Sequence, residues 1–394
     1  MRVIPCYLQA VGLINALGDG LVAVSETLAD PACQPLSWRS DLSGDGRSVA
    51  VGAVNGVLPQ IPASLCRFNT RNNRLLLAAL EQVRPEVEEW IARVGASRVA
   101  VVVGTSTSGI EEGTLALEQF QQQGQLPAEY AYGQQELGDP AAFLQALLGV
   151  EGPCYAISTA CSSSARAFIS ARRLLAANLA DMVLVAGVDS LCRLTLNGFA
   201  SLESLSAGIS TPFATGRDGI NIGEGAAITL LTREKGPVAL LGAGESSDAY
   251  HISAPHPDGV GAEAAMAMAL AQAGLNADEV GYINLHGTGT RLNDEMEAKA
   301  IWRLFGNRVP CSSTKPLTGH TLGAAGATEA ALCWLWLTRS LPLPAQRLKR
   351  GQWDESLCPI ALLREPTLLP RPVILSNSFA FGGNNVSLLL ARSD

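Results

Sequence analysis

One cysteine lies in a sequence context that could activate it as a nucleophile. Cys161 follows a short apolar run, 154–157, and stands in a turn of small residues ahead of a predicted helix. Unpaired backbone N–H groups and the positive end of the dipole at a helix N-terminus stabilise a thiolate. We therefore expect Cys161 to be more nucleophilic at neutral pH than a free thiol, with a small buried cysteine as the alternative interpretation.

Two of the four histidines lie in Gly-containing loops of small residues. His286 ends an apolar strand and opens a Gly-Thr-Gly-Thr loop, and His320 stands just before a predicted helix. A histidine at the mouth of a strand or at a helix N-terminus tends to stay neutral and can offer an N–H to a ligand. The alternative, a histidine in a surface loop, fits His251 and His256 better.

Two more segments could complete a site around these residues. Lys315 and Glu329 flank His320 in sequence, and an ammonium beside a carboxylate would form an ordering pair, although a lone Lys or Glu is usually solvated. The loop 376–385 places two glycines beside two aromatic residues. This pattern indicates a tight turn that brings a backbone N–H to a substrate, with Phe381 as an apolar lid. An ordinary hairpin connection is the other interpretation of this loop.

The elements that must position these residues follow the pattern of an α/β fold. Short Val-rich runs alternate with Ala- and Leu-rich stretches of helical length, which is typical of strands covered by helices. We predict two α/β halves, residues 1–236 and 237–394, that share one core. The predicted strands cover 98–103, 154–157, 182–186, 226–231, 238–241, 282–285 and 373–375, and the predicted helices cover 111–123, 160–179, 261–273, 292–305 and 321–338.

Composition excludes several classes of protein. Among the 394 residues, 47% are hydrophobic and 16% are charged, which does not fit a disordered chain. The 36 acidic residues exceed the 28 basic residues, so a nucleic-acid-binding protein is not expected. Fragments of a dinucleotide fingerprint at 223–225 and 242–244 do not complete G-x-G-x-x-G, which argues against a nucleotide cofactor.

Cysteine usage and the uncharged runs indicate a compartment. The nine cysteines include no C-x-x-C pair, so we expect neither a disulfide framework nor a zinc ribbon and favour the reducing cytoplasm. Gln9 and Asn15 interrupt the uncharged start of the chain, and we interpret 3–17 as a buried strand and turn rather than a signal peptide. The run 48–66 contains two prolines, so we do not expect it to span a membrane.

The Cys161, His286 and His320 segments, in this order and spacing, resemble the decarboxylating β-ketoacyl-[acyl-carrier-protein] synthases of the thiolase superfamily. A cysteine with two histidines is similar to the elongating type, because initiating synthases and thiolases differ at the last position. The resemblance implies a thiolase-like five-layer αβαβα sandwich of two similar halves, dimeric, with no metal and no organic cofactor. It extends from about Val99 onward and includes Pro212-Phe213, Arg217-Asp218-Gly219, Gly223 to Ala226, Gly319-His320 and Gly323 to Gly326.

The resemblance also implies a reaction. Cys161 would take the acyl chain from an acyl carrier protein and hold it as a thioester. His286 and His320 would then stabilise the enolate that forms when malonyl-[acyl-carrier-protein] loses carbon dioxide. Attack of this enolate on the acyl group would give the β-ketoacyl product, and the backbone N–H groups of Cys161 and Phe381 would hold the oxyanion.

The same resemblance assigns supporting roles to four more residues. Lys315 and Glu329 would orient the histidine side of the site. Thr288 and Thr290 would bond the phosphopantetheine arm on which the carrier protein presents its substrate. No cofactor of the enzyme itself is implied.

Carrier proteins are acidic, so their docking needs a local basic surface on this acidic chain. The segment 48–80 has no Asp or Glu, and Arg67, Arg71 and Arg74 lie there at helix-compatible spacing, where the family has its carrier-docking helix. A solvated helix face is the alternative. The resemblance further implies a homodimer or a heterodimer with a chain-length factor.

Several positions depart from the family pattern. Ala214 stands where an Asp is usual, and in the lid loop Ala380 replaces a Gly and Asn384 a Thr. The stretch 104–109, which in the family faces the acyl pocket, is more polar than a saturated chain would favour. We therefore expect a specialised synthase of a secondary-metabolite cluster, for instance of aryl polyene or polyketide type.

Two other functions are compatible with parts of this pattern. A non-catalytic chain-length-factor partner would keep the fold, but such a role needs no thiol. A cysteine hydrolase would use Cys161 and one histidine with water as the acceptor, which leaves the second histidine and the segment 315–329 unexplained.

Overall fold

The computed structural model of the chain describes residues 5–348 and 352–393. Thirteen strands and eleven α-helices lie in these ranges. The strands are β1 (Cys6–Asn15), β2 (Gly18–Asp19), β3 (Ser37–Arg39), β4 (Val49–Val51), β5 (Val99–Gly104), β6 (Cys154–Ile157), β7 (Met182–Asp189), β8 (Gly225–Thr232), β9 (Val238–Ser247), β10 (Tyr282–Asn284), β11 (Cys311–Ser312), β12 (Val373–Phe379) and β13 (Asn384–Arg392). The helices are α1 (Gly20–Ala29), α2 (Arg71–Glu81), α3 (Arg84–Val94), α4 (Ile110–Gln123), α5 (Asp139–Leu148), α6 (Ser163–Ala176), α7 (Arg193–Ser201), α8 (Val260–Ala273), α9 (Arg291–Phe305), α10 (Lys315–Thr318) and α11 (Ala325–Thr338).

The main sheet contains the same five-strand arrangement twice. Its strands follow the order β11-β10-β12-β13-β9-β1-β8-β7-β5-β6. In β1-β8-β7-β5-β6 the first two pairings are antiparallel and the next two are parallel, and β9-β13-β12-β10-β11 repeats this pattern. The two units meet where Cys6 to Leu8 pairs with Val238 to Leu240.

Helices cover both faces of each five-stranded unit and so produce five layers. Helices α2, α3 and α5 pack on the outer face of the first unit, and α8 and α9 pack on the outer face of the second. Helices α6 and α11 lie in the middle layer, between the two units. Strands buried on both faces need no alternation of polar residues, which explains Val-rich runs such as Val99–Gly104. The predicted five-layer αβαβα sandwich is confirmed.

Glycines allow the N-termini of α6 and α11 to touch through their backbones. A Cβ on Gly326 of α11 would lie 2.4 Å from Ala165 N, and a Cβ on Gly104 would lie 2.3 Å from Ser164 N. Ala327 N–H also donates to Ser164 Oγ at 2.9 Å. Because these distances exclude a side chain, glycine is what brings the residues just ahead of the two helices together.

The helices of the middle layer differ from their predicted bounds at the N-terminus. The helix predicted over 160–179 spans Ser163–Ala176, because the residues before Ser163 form a turn. The helix predicted over 321–338 begins with a 3-10 turn, Leu322–Ala324, that precedes α11. Both differences lie next to candidate site residues, Cys161 and His320, where the backbone leaves the α-helical conformation.

The first predicted strand is present as β1, which begins at Cys6. Residues 1–4, which include the predicted start of that strand, lie outside the described residues. Within the ranges that the structure covers, no helix has the length and apolar character needed to cross a bilayer.

Candidate active site

Cys161 is presented by a strained turn between β6 and α6. Ala160, directly before it, has a φ of 52°, in the left-handed region that residues other than glycine rarely adopt. Thr159 N–H donates to Ser163 Oγ at 2.9 Å, and that hydroxyl donates to Ala160 O at 2.5 Å. Strained strand-to-helix turns of this kind expose nucleophiles in other folds. Sequence reasoning missed the strain, because an alanine carries no signal for a positive φ.

The structure brings the three predicted chemical groups into one place. His320 Nε2 and Cys161 Sγ are 3.0 Å apart. The rings of His286 and His320 lie at 84° to each other, with their centroids 5.5 Å apart. The sulfur and one nitrogen of each ring lie within 4.8 Å of one another. A small group bound against the sulfur would therefore also reach both imidazoles.

The backbone at His320 is held by the segment that precedes β8. His320 N–H donates to Asn221 O at 2.7 Å, and Gly223 N–H donates to His320 O at 2.9 Å. Gly319 has a φ of 68°, and a Cβ there would lie 2.8 Å from Gly223 N. The glycine before His320 is thus required both by its backbone conformation and by this close approach.

A buried carboxylate holds the backbone at His286. Glu297 on α9 accepts from His286 N–H at 2.8 Å and from Gly287 N–H at 2.7 Å. Burial raises the pKa of Glu297 to about 7, while these two N–H donors act to lower it. Sequence reasoning missed Glu297. The only available signal was its place on the helix that directly follows the Gly-Thr-Gly-Thr loop.

Both histidines are held in the neutral form. Burial lowers the pKa of His286 and of His320 well below the ordinary value, and the nearby positive charge of Lys315 lowers each pKa further. A neutral imidazole has one N–H to donate and one lone pair to accept. The site can thus offer hydrogen bonds to a ligand carbonyl without carrying a charged imidazolium.

The pKa of the resting Cys161 thiol is raised, contrary to the expected stabilisation of its thiolate at a helix N-terminus. Burial raises the pKa of Cys161 to about 11, and this effect outweighs the charge of Lys315 and the backbone N–H groups of Phe381 and Cys161, which all lower it. Desolvation of the sulfur therefore dominates over the groups that would stabilise a thiolate. The resting sulfur is a protonated thiol with His320 Nε2 in hydrogen-bond range.

Lys315 and Glu329 form a buried ion pair. Lys315 Nζ lies 2.6 Å from Glu329 Oε1, and both side chains are 3% exposed. Burial raises the pKa of Glu329, whereas the ammonium of Lys315 lowers it. Since a buried charge is costly without its partner, the two residues act as a unit, as their sequence context indicated.

A cavity of about 250 Å³ leads from Cys161 past the other candidate residues. The hydroxyls of Thr288 and Thr290 lie 3.0 Å apart on its wall. Ser210 Oγ donates to Thr288 O at 3.2 Å, which ties this wall to a neighbouring loop. Six of the eight predicted site residues line the cavity: Cys161, His286, Thr288, Thr290, His320 and Phe381.

The predicted lid residue is part of a short 3-10 helix, Phe381–Gly383. Its ring packs against Phe199, with centroids 5.7 Å apart, and Phe199 also lines the cavity. Gly382 and Gly383 have φ values of 81° and 76°, so the two glycines of this loop are needed for its shape. Phe199 was not predicted, since a single aromatic in a polar stretch is indistinguishable from a core residue.

The three arginines predicted to dock a carrier protein have different surroundings. Arg71 is paired with the buried Glu224, with Nε 2.7 Å from Oε2 and Nη2 2.5 Å from Oε1. Arg74 donates to the carbonyls of Pro59 and Leu58 at 3.1 and 3.0 Å. Arg67 alone of the three is exposed, over the ring of Phe68. Arg67 is thus the most accessible of the three, Arg74 keeps its charge although it bonds two carbonyls, and Arg71 shares its charge with Glu224. The docking patch itself stays a prediction.

Two family models match adjacent parts of the chain. The model described as "Beta-ketoacyl synthase, N-terminal domain" matches residues 57–236, and "Beta-ketoacyl synthase, C-terminal domain" matches residues 238–348. Cys161 lies in the first range, and both His286 and His320 lie in the second.

Curated relatives and solved structures agree with these matches. The chain is 40% identical over 265 residues to 3-oxoacyl-[acyl-carrier-protein] synthase 2 of Rhizobium meliloti, and this alignment spans 62% of each chain. It is 32% identical over 339 residues to the synthase of that name from Synechocystis, spanning 80% of each. A ketosynthase (ApeO) of Xenorhabdus doucetiae, solved in complex with its chain length factor (ApeC), superposes with a TM-score of 0.96 at 52% identity, covering 99% of this chain and 98% of that one.

Proposed function

Because the chain belongs to the β-ketoacyl synthase family, we propose that it condenses an acyl chain held on Cys161 with malonyl-[acyl-carrier-protein], with loss of carbon dioxide. The observation that supports this most directly is the arrangement of one thiol and two neutral imidazoles at a single cavity end. The two histidines are what distinguish a condensing site from a cysteine hydrolase, which needs only one.

In the first half-reaction Cys161 attacks the thioester of an acyl carrier protein. As the S–C bond forms, the thiol proton passes by way of His320 Nε2, 3.0 Å away, to the departing carrier sulfur, so His320 is neutral again at the end of the step. The carbonyl oxygen gains negative charge, which the backbone N–H groups of Cys161 and Phe381 stabilise. The C–S bond to the carrier then breaks, the carrier leaves as a thiol with the proton relayed by His320, and the acyl group remains on the Cys161 sulfur.

In the second half-reaction the two histidines act on malonyl thioester. Their N–H groups donate to its carbonyl oxygen, so that electron density from the breaking C–C bond is held as an enolate while carbon dioxide departs. The enolate carbon attacks the acyl carbonyl on Cys161 and expels the sulfur. Because the donors are neutral and buried, they stabilise charge that appears only as the reaction proceeds.

Lys315 and Glu329 support this chemistry from one side of the site. The ammonium of Lys315 opposes protonation of either imidazole, and its pairing with Glu329 keeps that charge in place. Thr288 and Thr290 offer hydroxyls to the phosphopantetheine arm along the cavity wall. Ketosynthases of this family use no cofactor of their own and receive their substrates on this carrier-bound arm.

In this proposal each half of the chain contributes different catalytic residues. Residues 1–236 carry the nucleophile, and residues 237–394 carry both histidines with Lys315 and Glu329. The repeated strand order supports a boundary between β8 and β9.

The proposed partners are an acyl carrier protein and a second ketosynthase-like chain. The ApeO ketosynthase is in complex with a chain length factor, and either such a factor or another copy of this chain would complete a dimer. Helix α4 supports a dimer, because its apolar side chains Leu115, Leu117 and Phe120 are 52%, 57% and 49% exposed.

We place the product in fatty-acid or polyketide synthesis, with the aryl polyene type as the narrower expectation. Free thiols such as Cys66 and Cys154 support a reducing, cytoplasmic location.

The proposal is tested by incubating the protein with acyl- and malonyl-carrier protein, comparing wild type with Cys161→Ala and, as the control, Cys66→Ala, which removes an exposed thiol. Wild type and Cys66→Ala should gain the mass of one acyl group, release carbon dioxide and extend the acyl chain as a β-ketoacyl thioester. Cys161→Ala should show no acyl adduct and no extended product. Acylation of Cys161→Ala would exclude the proposed nucleophile, and release of free acid from wild type would indicate a hydrolase.

A further inference from the structure

Asp189 is a fully buried carboxylate with five hydrogen-bond donors around it. Its Oδ1 accepts from the hydroxyls of Thr105 and Thr107 at 3.0 and 2.7 Å and from the N–H groups of Ser106 and Thr107, each at 2.7 Å. Its Oδ2 accepts from Ala324 N–H at 3.0 Å. Asp189 stands at the end of β7 and is 0% exposed. The two oxygens thus face two different segments.

Both of these segments adjoin the nucleophile and one histidine. The 105–107 loop follows β5, and the 322–324 turn follows His320 and leads into α11. The segments also touch each other, since a Cβ on Gly323 would lie 2.8 Å from Ser106 N. On their other side lies α6, which follows Cys161, because Gly104 and Gly326 approach its first residues at backbone distance. Asp189 therefore sits at the junction that sets the position of His320 relative to Cys161.

The negative charge of Asp189 also affects the pKa of the Cys161 thiol. Its carboxylate is one of the groups that raise the pKa of Cys161, whereas the ammonium of Lys315 lowers that pKa. Asp189 also acts to raise the pKa of Cys192, but burial is the main cause there. The Asp189 carboxylate thus interacts electrostatically with the Cys161 sulfur, although Asp189 does not line the cavity that leads from it.

We propose that Asp189 is a positioning residue for the condensation reaction, holding the 105–107 loop and the turn after His320 together so that His320 stays against the Cys161 sulfur. This inference rests on the proposed function. It also accounts for the polarity of the 104–109 stretch, because the hydroxyls of Thr105 and Thr107 are bound by Asp189 and are not available to an acyl chain.

The test uses Asp189→Asn, with Asp139→Asn as the matched control. Asp139 is also a buried carboxylate, whose pKa burial raises to about 6, but it bonds Asn73 under helix α2. In Asp189→Asn, the amide NH₂ replaces one carboxylate oxygen and cannot accept a hydrogen bond. Either the 105–107 loop or the 322–324 turn therefore loses its bonds to residue 189. We expect kcat to fall by roughly tenfold to a hundredfold with KM for malonyl-carrier protein unchanged, and Asp139→Asn to keep the wild-type kcat.

A second readout separates positioning from a purely structural role. The pH dependence of Cys161 alkylation by iodoacetamide, measured by intact mass on folded protein, should move to lower pH in Asp189→Asn, because a negative charge near the thiolate is lost. This measurement does not need turnover, so it remains valid even where the wild type fails to condense the substrates tested. If wild type is active and Asp189→Asn has the same kcat and the same alkylation profile, the inference is wrong.

Thr107→Val covers the case in which Asp189→Asn does not fold. It removes one donor to Asp189 but keeps the carboxylate and the backbone donors. We expect a smaller fall in kcat, about threefold to tenfold, with the alkylation profile of wild type. A wild-type kcat in this variant, together with failure of Asp189→Asn to fold, would reduce Asp189 to a structural residue and overturn the inference.

Discussion

Burial decides the protonation of the three side chains at the cavity end. The same desolvation that keeps His286 and His320 uncharged also keeps the Cys161 thiol protonated. Lys315 opposes desolvation at the cysteine and reinforces it at the histidines. The resting site therefore carries little charge where the substrate binds, which suits a reaction whose negative charge develops only in its transition states.

Between about pH 8 and about pH 6, protonation of the histidines should not lower carbon dioxide release from malonyl-carrier protein, whereas Glu297, with a pKa of about 7, gains a proton in this range. The reason is that the pKa of each histidine lies well below 6.5, so acidification through this range adds no proton to either ring. Initial rates at saturating malonyl-carrier protein would measure this. A fall in rate with a midpoint near 6.5 that persists in Glu297→Gln would show that at least one essential imidazole is solvated.

At the scale of elements, the site depends on two helices whose N-termini are in backbone contact. Helix α6 follows Cys161, and α11 follows His320 after one 3-10 turn. Gly326 and Gly104 allow these helices and β5 to approach closely. The chemistry is thus placed at the boundary of the middle layer, where neither helix can move without displacing the other.

Gly326→Ala should therefore destabilise the protein, by about 1 to 3 kcal/mol, because the new Cβ would lie 2.4 Å from Ala165 N. Gly198→Ala is the matched control, since Gly198 is also helical and has no atom within 4 Å of an added Cβ. That control should be neutral or slightly stabilising, because alanine favours helix. Urea unfolding of both variants measures the difference, and equal midpoints would contradict the packing argument.

For the whole molecule, the proposed docking of an acidic carrier protein has to occur although the net charge of the chain is −8. Of the three arginines assigned to docking from sequence, Arg71 is used internally to neutralise Glu224, which also accepts from the N–H groups of Val54 and Leu191. Arg67 remains exposed. Arg74 bonds carbonyl groups and keeps its charge, so the predicted docking patch loses the charge of Arg71 but not that of Arg74.

Arg67→Glu should raise KM for malonyl-carrier protein by roughly threefold to tenfold at low ionic strength, and by less at high ionic strength, because exposed charges are screened by salt. Malonyl-pantetheine, which has no carrier protein, provides the control and should show an unchanged KM. Arg71→Glu should instead lower stability, since it leaves Glu224 buried without its cation. A salt-independent KM for Arg67→Glu would remove Arg67 from the docking surface.

The fold class and the three candidate reactive groups could be predicted from the sequence, because both depend on local signals. The alternation of Val-rich and Ala-rich runs predicts strands covered by helices, and the small residues around Cys161, His286 and His320 mark each loop separately. The family resemblance then supplied Lys315, Glu329, Thr288, Thr290 and Phe381 as one set.

Properties that arise between distant segments became visible only in the folded chain. The high pKa of the Cys161 thiol comes from burial beneath loops from both halves, and the partner of Arg71 is 153 residues away in sequence. Asp189 is linked to the 105–107 loop and to Ala324 across 82 and 135 residues. Desolvation and hydrogen bonding act through space, so a pattern read along the chain cannot assign them until the chain is folded.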